Sequence, residues 1–155
     1  MGWLVWLGVF ILTFCFMELA AWLLHKYVMH GFLWSLHEDH HIYNKDQVWE
    51  KNDCFAFFFA IPSFLFILID SFRGIPLLGA VGFGIMGYGV VYFLVHEVII
   101  HRRLVLFGRI NHWYIQAINS AHKVHHSIQG KKNSSNLGML FVSWSYLKNS
   151  WNKRY

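Results

Sequence analysis

Three apolar runs divide the chain, and polar, histidine-bearing segments follow the first and the third. From Trp3 to Leu24 the only ionisable side chain is Glu18, and roughly 20 such residues are enough to cross a bilayer core. The pattern predicts a transmembrane helix. With no basic leader region and no small-residue cleavage site, the run reads as a retained span rather than a signal sequence. Cys54 to Ile69 is a second run, rich in Phe and containing Pro62; its shortness predicts a kink or help from the flanks. Ser71 to Pro76 holds turn residues, and Leu77 to Val95 forms the third run. The expected architecture is therefore all-α, a single domain over 1–155 with spans at about 3–24, 54–70 and 76–96. The last two should form an antiparallel hairpin, leaving histidine-bearing segments at 25–53 and 96–145. Leu137–Trp144 is too brief to span and reads as a helix or loop lying in the interface. Lys148–Tyr155 reads as a short, disordered basic tail.

Composition agrees with a membrane protein. Hydrophobic residues make up 56% and charged residues only 14%, against about 25% charged in soluble domains. The mean hydropathy is +0.37. A net charge of +5 does not require nucleic acid, and no nucleic-acid partner is expected. Of thirteen Lys and Arg, only Arg73 lies in the turn between the second and third runs. The others fall in 26–53 and 101–155, so the positive-inside rule puts the histidine segments on the cytoplasmic side. Trp3, Trp22, Trp113 and Trp151 sit where an aromatic belt would. Cys15 and Cys54 lie in apolar runs without metal-site spacing and read as filler. Glu18 is either a functional intramembrane carboxylate or a residue paired at a helix interface.

Two motifs mislead. Gly82 to Gly87 spells a dinucleotide fingerprint, but it follows no strand and has no acidic partner downstream. With Gly79 and Gly89 it is better read as a small-residue face for helix packing. Asn133-Ser134-Ser135 fits the glycosylation pattern, which is irrelevant on the cytoplasmic side.

The chemistry lies in the histidines. His37, His40 and His41 stand at i, i+3 and i+4, and so do His122, His125 and His126. On a helix this spacing points three imidazoles to one face. A wider pair precedes each triple, His25 with His30 and His96 with His101, both at i, i+5. An α-helix rotates the second member of such a pair by about 140°, so each pair needs a π-turn, a helix end, or ligands to different metals. Ten of the eleven histidines thus obey one repeated pattern, and His112 stands outside it. A lone histidine is most often a satisfied polar group. Ten in this arrangement imply two metal ions, since one ion rarely takes more than about six ligands.

A two-zinc hydrolase would add bridging carboxylates, for which Glu38, Asp39 and Glu97 are the candidates. All three could equally be outer partners of the ligating rings or solvated surface. A nitrogen-rich site at the ends of membrane helices suits oxidation of a lipid-soluble substrate, and iron activates oxygen for unactivated C–H bonds. No flavin, NAD, haem or iron–sulfur motif is present, so electrons must come from another protein.

The order HxxxxH, HxxHH, HxxxxH, HxxHH resembles the membrane di-iron hydroxylase and desaturase superfamily, closest to its bacterial β-carotene 3-hydroxylase branch. Met29 to Trp34, His37 to His41, Lys51-Asn52-Asp53, Tyr88 to Arg103 and Ala121 to Lys131 carry the likeness. It implies that His25, His30, His37, His40, His41, His96, His101, His122, His125 and His126 hold two irons, for which zinc can substitute in purified protein. It also implies O2 as co-substrate and a ferredoxin-like donor with its reductase. The implied reaction converts membrane-dissolved β-carotene through β-cryptoxanthin to zeaxanthin in the bacterial inner membrane. Arg102, Arg103, Lys131 and Lys132 are candidates to dock the donor, although positive-inside charge explains them equally. A fatty acid or sterol hydroxylase, or a non-enzymatic zinc-binding membrane protein, are the alternatives.

Overall fold

The first helix, α1 (Trp3–Leu23), is apolar on every side, the signature of a helix surrounded by lipid or core. Trp3, Leu4 and Leu12 are among its many exposed apolar side chains. In this computed structural model, which describes residues 1–42, 49–106, 108–128, 130–131 and 134–153, α1 continues past the apolar run. It passes into a π-helical stretch, Leu24–Phe32, where Gly31 leaves helical geometry (φ −104°, ψ −123°). The chain then turns into α2 (Trp34–His41).

A 3-10 turn, Lys51–Ala56, leads into α3 (Phe57–Arg73). Its start is held by the Glu50 N–H, which donates to Asp53 Oδ2 at 3.0 Å. Pro62 lies within α3 without ending it, and the helix stops at Gly74, which is left-handed (φ 61°, ψ 45°). Pro76 then opens α4 (Pro76–Phe93), at a position where its missing N–H costs nothing. A second π-helical stretch, Leu94–Ile100, extends α4.

Three continuous helices, Trp3–Phe32, Lys51–Arg73 and Pro76–Ile100, are long and apolar enough to cross a membrane. The protein is an all-helical membrane protein, with no strand among the described residues. α4 packs against both α1 and α3. A Cβ on Gly82 would lie 2.9 Å from the Ser63 carbonyl of α3, and one on Gly84 would lie 2.9 Å from the Phe10 carbonyl of α1. The apparent fingerprint is therefore a packing device, with alternate glycines admitting two neighbouring backbones.

α5 (Trp113–Ser127) and α6 (Trp144–Asn152) pack on each other beyond the spans. One expectation needs correction here. The basic tail is helical through Asn152, with Trp151 set edge-on against Trp113 at 5.2 Å. In the segment before it Leu137 and Met139 are buried, Met139 in a core with Val95 and Ile118, while Phe141 and Trp144 are exposed.

Candidate metal centre

His25 and His30 fall within the first π-helical stretch, and the second holds His96 with His101 as its C-cap. A π-turn carries one more residue than an α-turn, which brings i and i+5 onto one face. The backbone records this directly, since His101 N–H donates to the His96 carbonyl at 2.9 Å. As a result the His25 and His30 rings lie 5.1 Å apart, and those of His96 and His101 lie 4.4 Å apart. The two HxxHH triples sit in the last two turns of α2 and α5.

Eight of the ten patterned histidines form two groups able to hold a metal ion, each group with its four ring nitrogens within 4.8 Å of one another. The first comprises His25, His30, His37 and His125; the second comprises His40, His101, His122 and His126. The middle histidine of each triple crosses over. His125 leaves its triple for the first group, and His40 leaves its own for the second. His41 borders the first group, its Nε2 3.2 Å from His37 Nε2. His96 borders the second, its ring 5.0 Å from that of His122. His112 is exposed and takes no part in either.

The nitrogens face one another as ligands do. Nε2 of His25 is 3.2 Å from Nε2 of His37, and Nε2 of His30 is 3.4 Å from Nε2 of His125. The His101 and His122 Nε2 atoms are 2.8 Å apart. Two nitrogens bound to one ion at about 2.1 Å stand about 3.0–3.4 Å apart, so a cation fits where the lone pairs converge. Nε2 of His40 and of His126 are buried without a hydrogen-bond partner, an expensive state for a polar atom unless something binds it.

Burial also sets the charge. It lowers His37 and His126 to about 2, His101 and His125 to about 3, and His41 to about 4, while His40 and His122 fall well below their ordinary value. Neighbouring imidazoles push most of them further the same way. All seven are neutral at pH 7, the form that binds metal.

Six of the Nδ1 atoms turn outward to fixed partners, which orients their rings. In the first group His37 donates to Asn52 Oδ1 (2.7 Å), His25 to the Leu137 carbonyl (3.0 Å) and His125 to the Ser135 carbonyl (3.0 Å). His30 Nδ1 pairs with Ser134 Oγ at 2.6 Å. Around the second group the acceptors are carboxylates. His40 donates to Glu50 at 2.7 Å, and His96 donates to Glu97 at 2.6 Å. Arg103 binds Asp53 through two nitrogens at 2.7 and 2.8 Å, and Glu97 at 2.8 Å. Burial pushes the Glu50 carboxyl up to about 7, against the pull of Arg103.

Of the three carboxylates singled out from the sequence, Glu97 touches a histidine. Glu38 is exposed, one residue and thus about 100° around α2 from His37. Asp39 accepts from the Lys51 N–H at 2.6 Å and so braces the next segment. Glu50, Ser134 and the two carbonyls have no counterpart among the residues singled out from the sequence, and Asn52 stood there only within a stretch that carries the family resemblance, without a role. Glu50 and Asn52 left one signal, polar residues clustered just before an apolar span. Arg103 turns its guanidinium inward onto Asp53 and Glu97, so it braces the centre instead of presenting a free docking charge. Arg102 is partly buried in the left-handed conformation (φ 55°), and Lys131 is exposed. Lys132 and Asn133 lie outside the described residues.

A family model described as fatty acid hydroxylase matches residues 10–150. The chain is 36% identical to a beta-carotene hydroxylase from Pantoea ananas, over 81% of this chain and 71% of that protein. It is 34% identical to one from Pseudescherichia vulneris, over 85% of this chain and 74% of the relative. A chloroplastic beta-carotene 3-hydroxylase 2 from Arabidopsis thaliana is 31% identical over 72% of this chain and 37% of its own length. No solved structure matches the chain.

Proposed function

The chain belongs to the fatty acid hydroxylase family, and from that premise we propose that it hydroxylates C3 of the β-ionone rings of a carotenoid dissolved in the membrane. β-Carotene would pass through β-cryptoxanthin to zeaxanthin, with O2 and two electrons consumed per hydroxylation. The observation that carries this reading is the pair of four-histidine groups at the ends of apolar spans, in a chain whose relatives are named beta-carotene hydroxylases. Bound irons would supply activation of O2 toward an unactivated C–H bond.

The remaining work falls to the chain's own residues. Burial keeps the imidazoles neutral, and the Nδ1–H donors of His25, His37, His40 and His125 turn their Nε2 lone pairs inward. His37 and His125 are 1% and 0% exposed, so their own rings are withdrawn from water. Trp34 lies against His30 and His41, with ring centroids 5.1 and 5.3 Å away. Tyr92 stacks on His96 at 5.1 Å. These aromatic faces give an apolar ring a surface to lie on beside the nitrogens. His25, His30, His37 and His125 would hold one iron, and His40, His101, His122 and His126 the other. His41 and His96 are the remaining ligands proposed, one for each ion.

Electrons come from a separate ferredoxin-like donor and its reductase, with Arg102 and Lys131 as docking charges. The chain works as a single domain in the bacterial inner membrane, its centre facing the cytoplasm, a sidedness supported by twelve of thirteen Lys and Arg lying outside the 71–76 turn. Expression in a host that accumulates β-carotene tests the reading. Zeaxanthin should appear in its pigment extracts. Unchanged carotenoids, with the protein present and reductant supplied, would overturn it, and an altered fatty acid or sterol profile in the same cells would redirect the assignment to another lipid.

A further inference from the structure

Glu18 is the one charged residue of the first apolar run, and it takes no part in either histidine group. It is 6% exposed, a costly place for a carboxylate unless partners surround it. Four donors do. Oε1 accepts from the backbone N–H groups of Met139, Leu140 and Phe141 at 2.8, 2.8 and 3.0 Å, and Oε2 accepts from the Tyr88 hydroxyl at 2.7 Å. Three successive amides from the far end of the chain therefore converge on one oxygen of α1.

The same stretch of chain supports the first histidine group. Ser134 Oγ pairs with His30, the Ser135 carbonyl accepts from His125, and the Leu137 carbonyl accepts from His25. Between the two carbonyls Asn136 adopts the left-handed conformation (φ 56°), and its side chain donates to the Tyr146 hydroxyl of α6 at 2.9 Å. Gly138 leaves room for the carboxylate. A Cβ there would lie 3.2 Å from Glu18 Oε1 and 2.8 Å from the Phe141 carbonyl. The supports of the second group, Glu50, Glu97 and Arg103, come from other parts of the chain.

We propose that Glu18 is a positioning residue for the first metal group: it latches residues 134–141 onto α1 and thereby aims His25, His30 and His125. The role rests on the reading of that group as a metal site. It also explains why a carboxylate is kept within a membrane span. Losing the latch releases three of the four rings of one group and leaves the other group intact. Its signature is a selective loss of one metal, which a general loss of stability does not produce.

The test uses the full chain in detergent, loaded anaerobically with 57Fe(II), with iron per chain and the Mössbauer spectrum as readouts. His25→Ala and His101→Ala assign one signal to each group. Glu18→Ala should lower the iron content from about two to about one per chain, removing the signal that His25→Ala removes. Glu18→Gln, which keeps an oxygen for the three amides, should restore it. Should Glu18→Ala not fold, Gly138→Ala decides, since it pushes the segment off the carboxylate and should weaken the same signal. Two unaltered signals in a folded Glu18→Ala or Gly138→Ala protein would overturn the proposal, as would equal loss of both. A wild-type chain that takes up no iron would instead overturn the metal reading on which it rests.

Discussion

The two halves of the centre share one sequence pattern yet sit in different electrical surroundings. Around His25, His30, His37 and His125 the outer partners are an amide oxygen, two backbone carbonyls and a hydroxyl. Around the second group they are the carboxylates of Glu50 and Glu97, tied together through Arg103. An imidazole that donates to a carboxylate is a more basic ligand than one that donates to a neutral oxygen. The same spelling, HxxxxH then HxxHH, thus produces two inequivalent positions. The second should hold its metal more tightly.

The strongest way to break the comparison is to remove the histidines that cross between triples. His40→Ala and His125→Ala should each reduce hydroxylation by more than about 100-fold, beyond what losing an outer partner costs. Each should strip metal from the opposite group to the one its own triple serves. Loss of the same signal in both variants would mean that no exchange occurs.

Metal removal comes next. Chelation should lower the melting temperature, because an ion bound at 100 times its Kd stabilises the folded state by about 2.7 kcal/mol. The stripped protein should also lose stability as pH falls below about 6.5. Its histidines stay neutral when folded, with values near 2 to 4, and take up protons only on unfolding, so acid favours the unfolded chain. Melting curves of chelated protein at pH 7.5 and 5.5 check the sign; a higher melting temperature at 5.5 would refute neutral histidines.

Smaller effects come from the outer partners. Glu50→Gln should weaken metal retention in the second group by about 10–100-fold, and Asn52→Asp should strengthen the first group by supplying the carboxylate it lacks. Competition with a graded chelator measures both, and opposite shifts would show that the two halves do not differ as described. Smallest is Ser134→Ala, with a loss of about tenfold or less, because the hydroxyl is neutral and His30 keeps its place in the π-turn. Iron retention after dialysis reads it.

Long apolar runs and a repeated histidine spacing are local properties. Composition and period alone therefore determined the three spans, the ten patterned histidines and the need for a π-turn or its equivalent at each HxxxxH pair. Other features depend on residues far apart in the chain. His25 finds its acceptor at Leu137, and Glu18 finds three amides at 139–141. Neither carries a sequence signature, because a backbone carbonyl or N–H is the same whatever side chain it bears. Helix α6 was hidden because its polar residues show no long apolar period, and it is held by packing on α5. Only the tertiary structure decided that the two triples exchange their middle histidines, that Arg103 turns inward, and that one half of the centre is backed by charge while the other is not. Those outcomes depend on how helices from opposite ends of the chain meet.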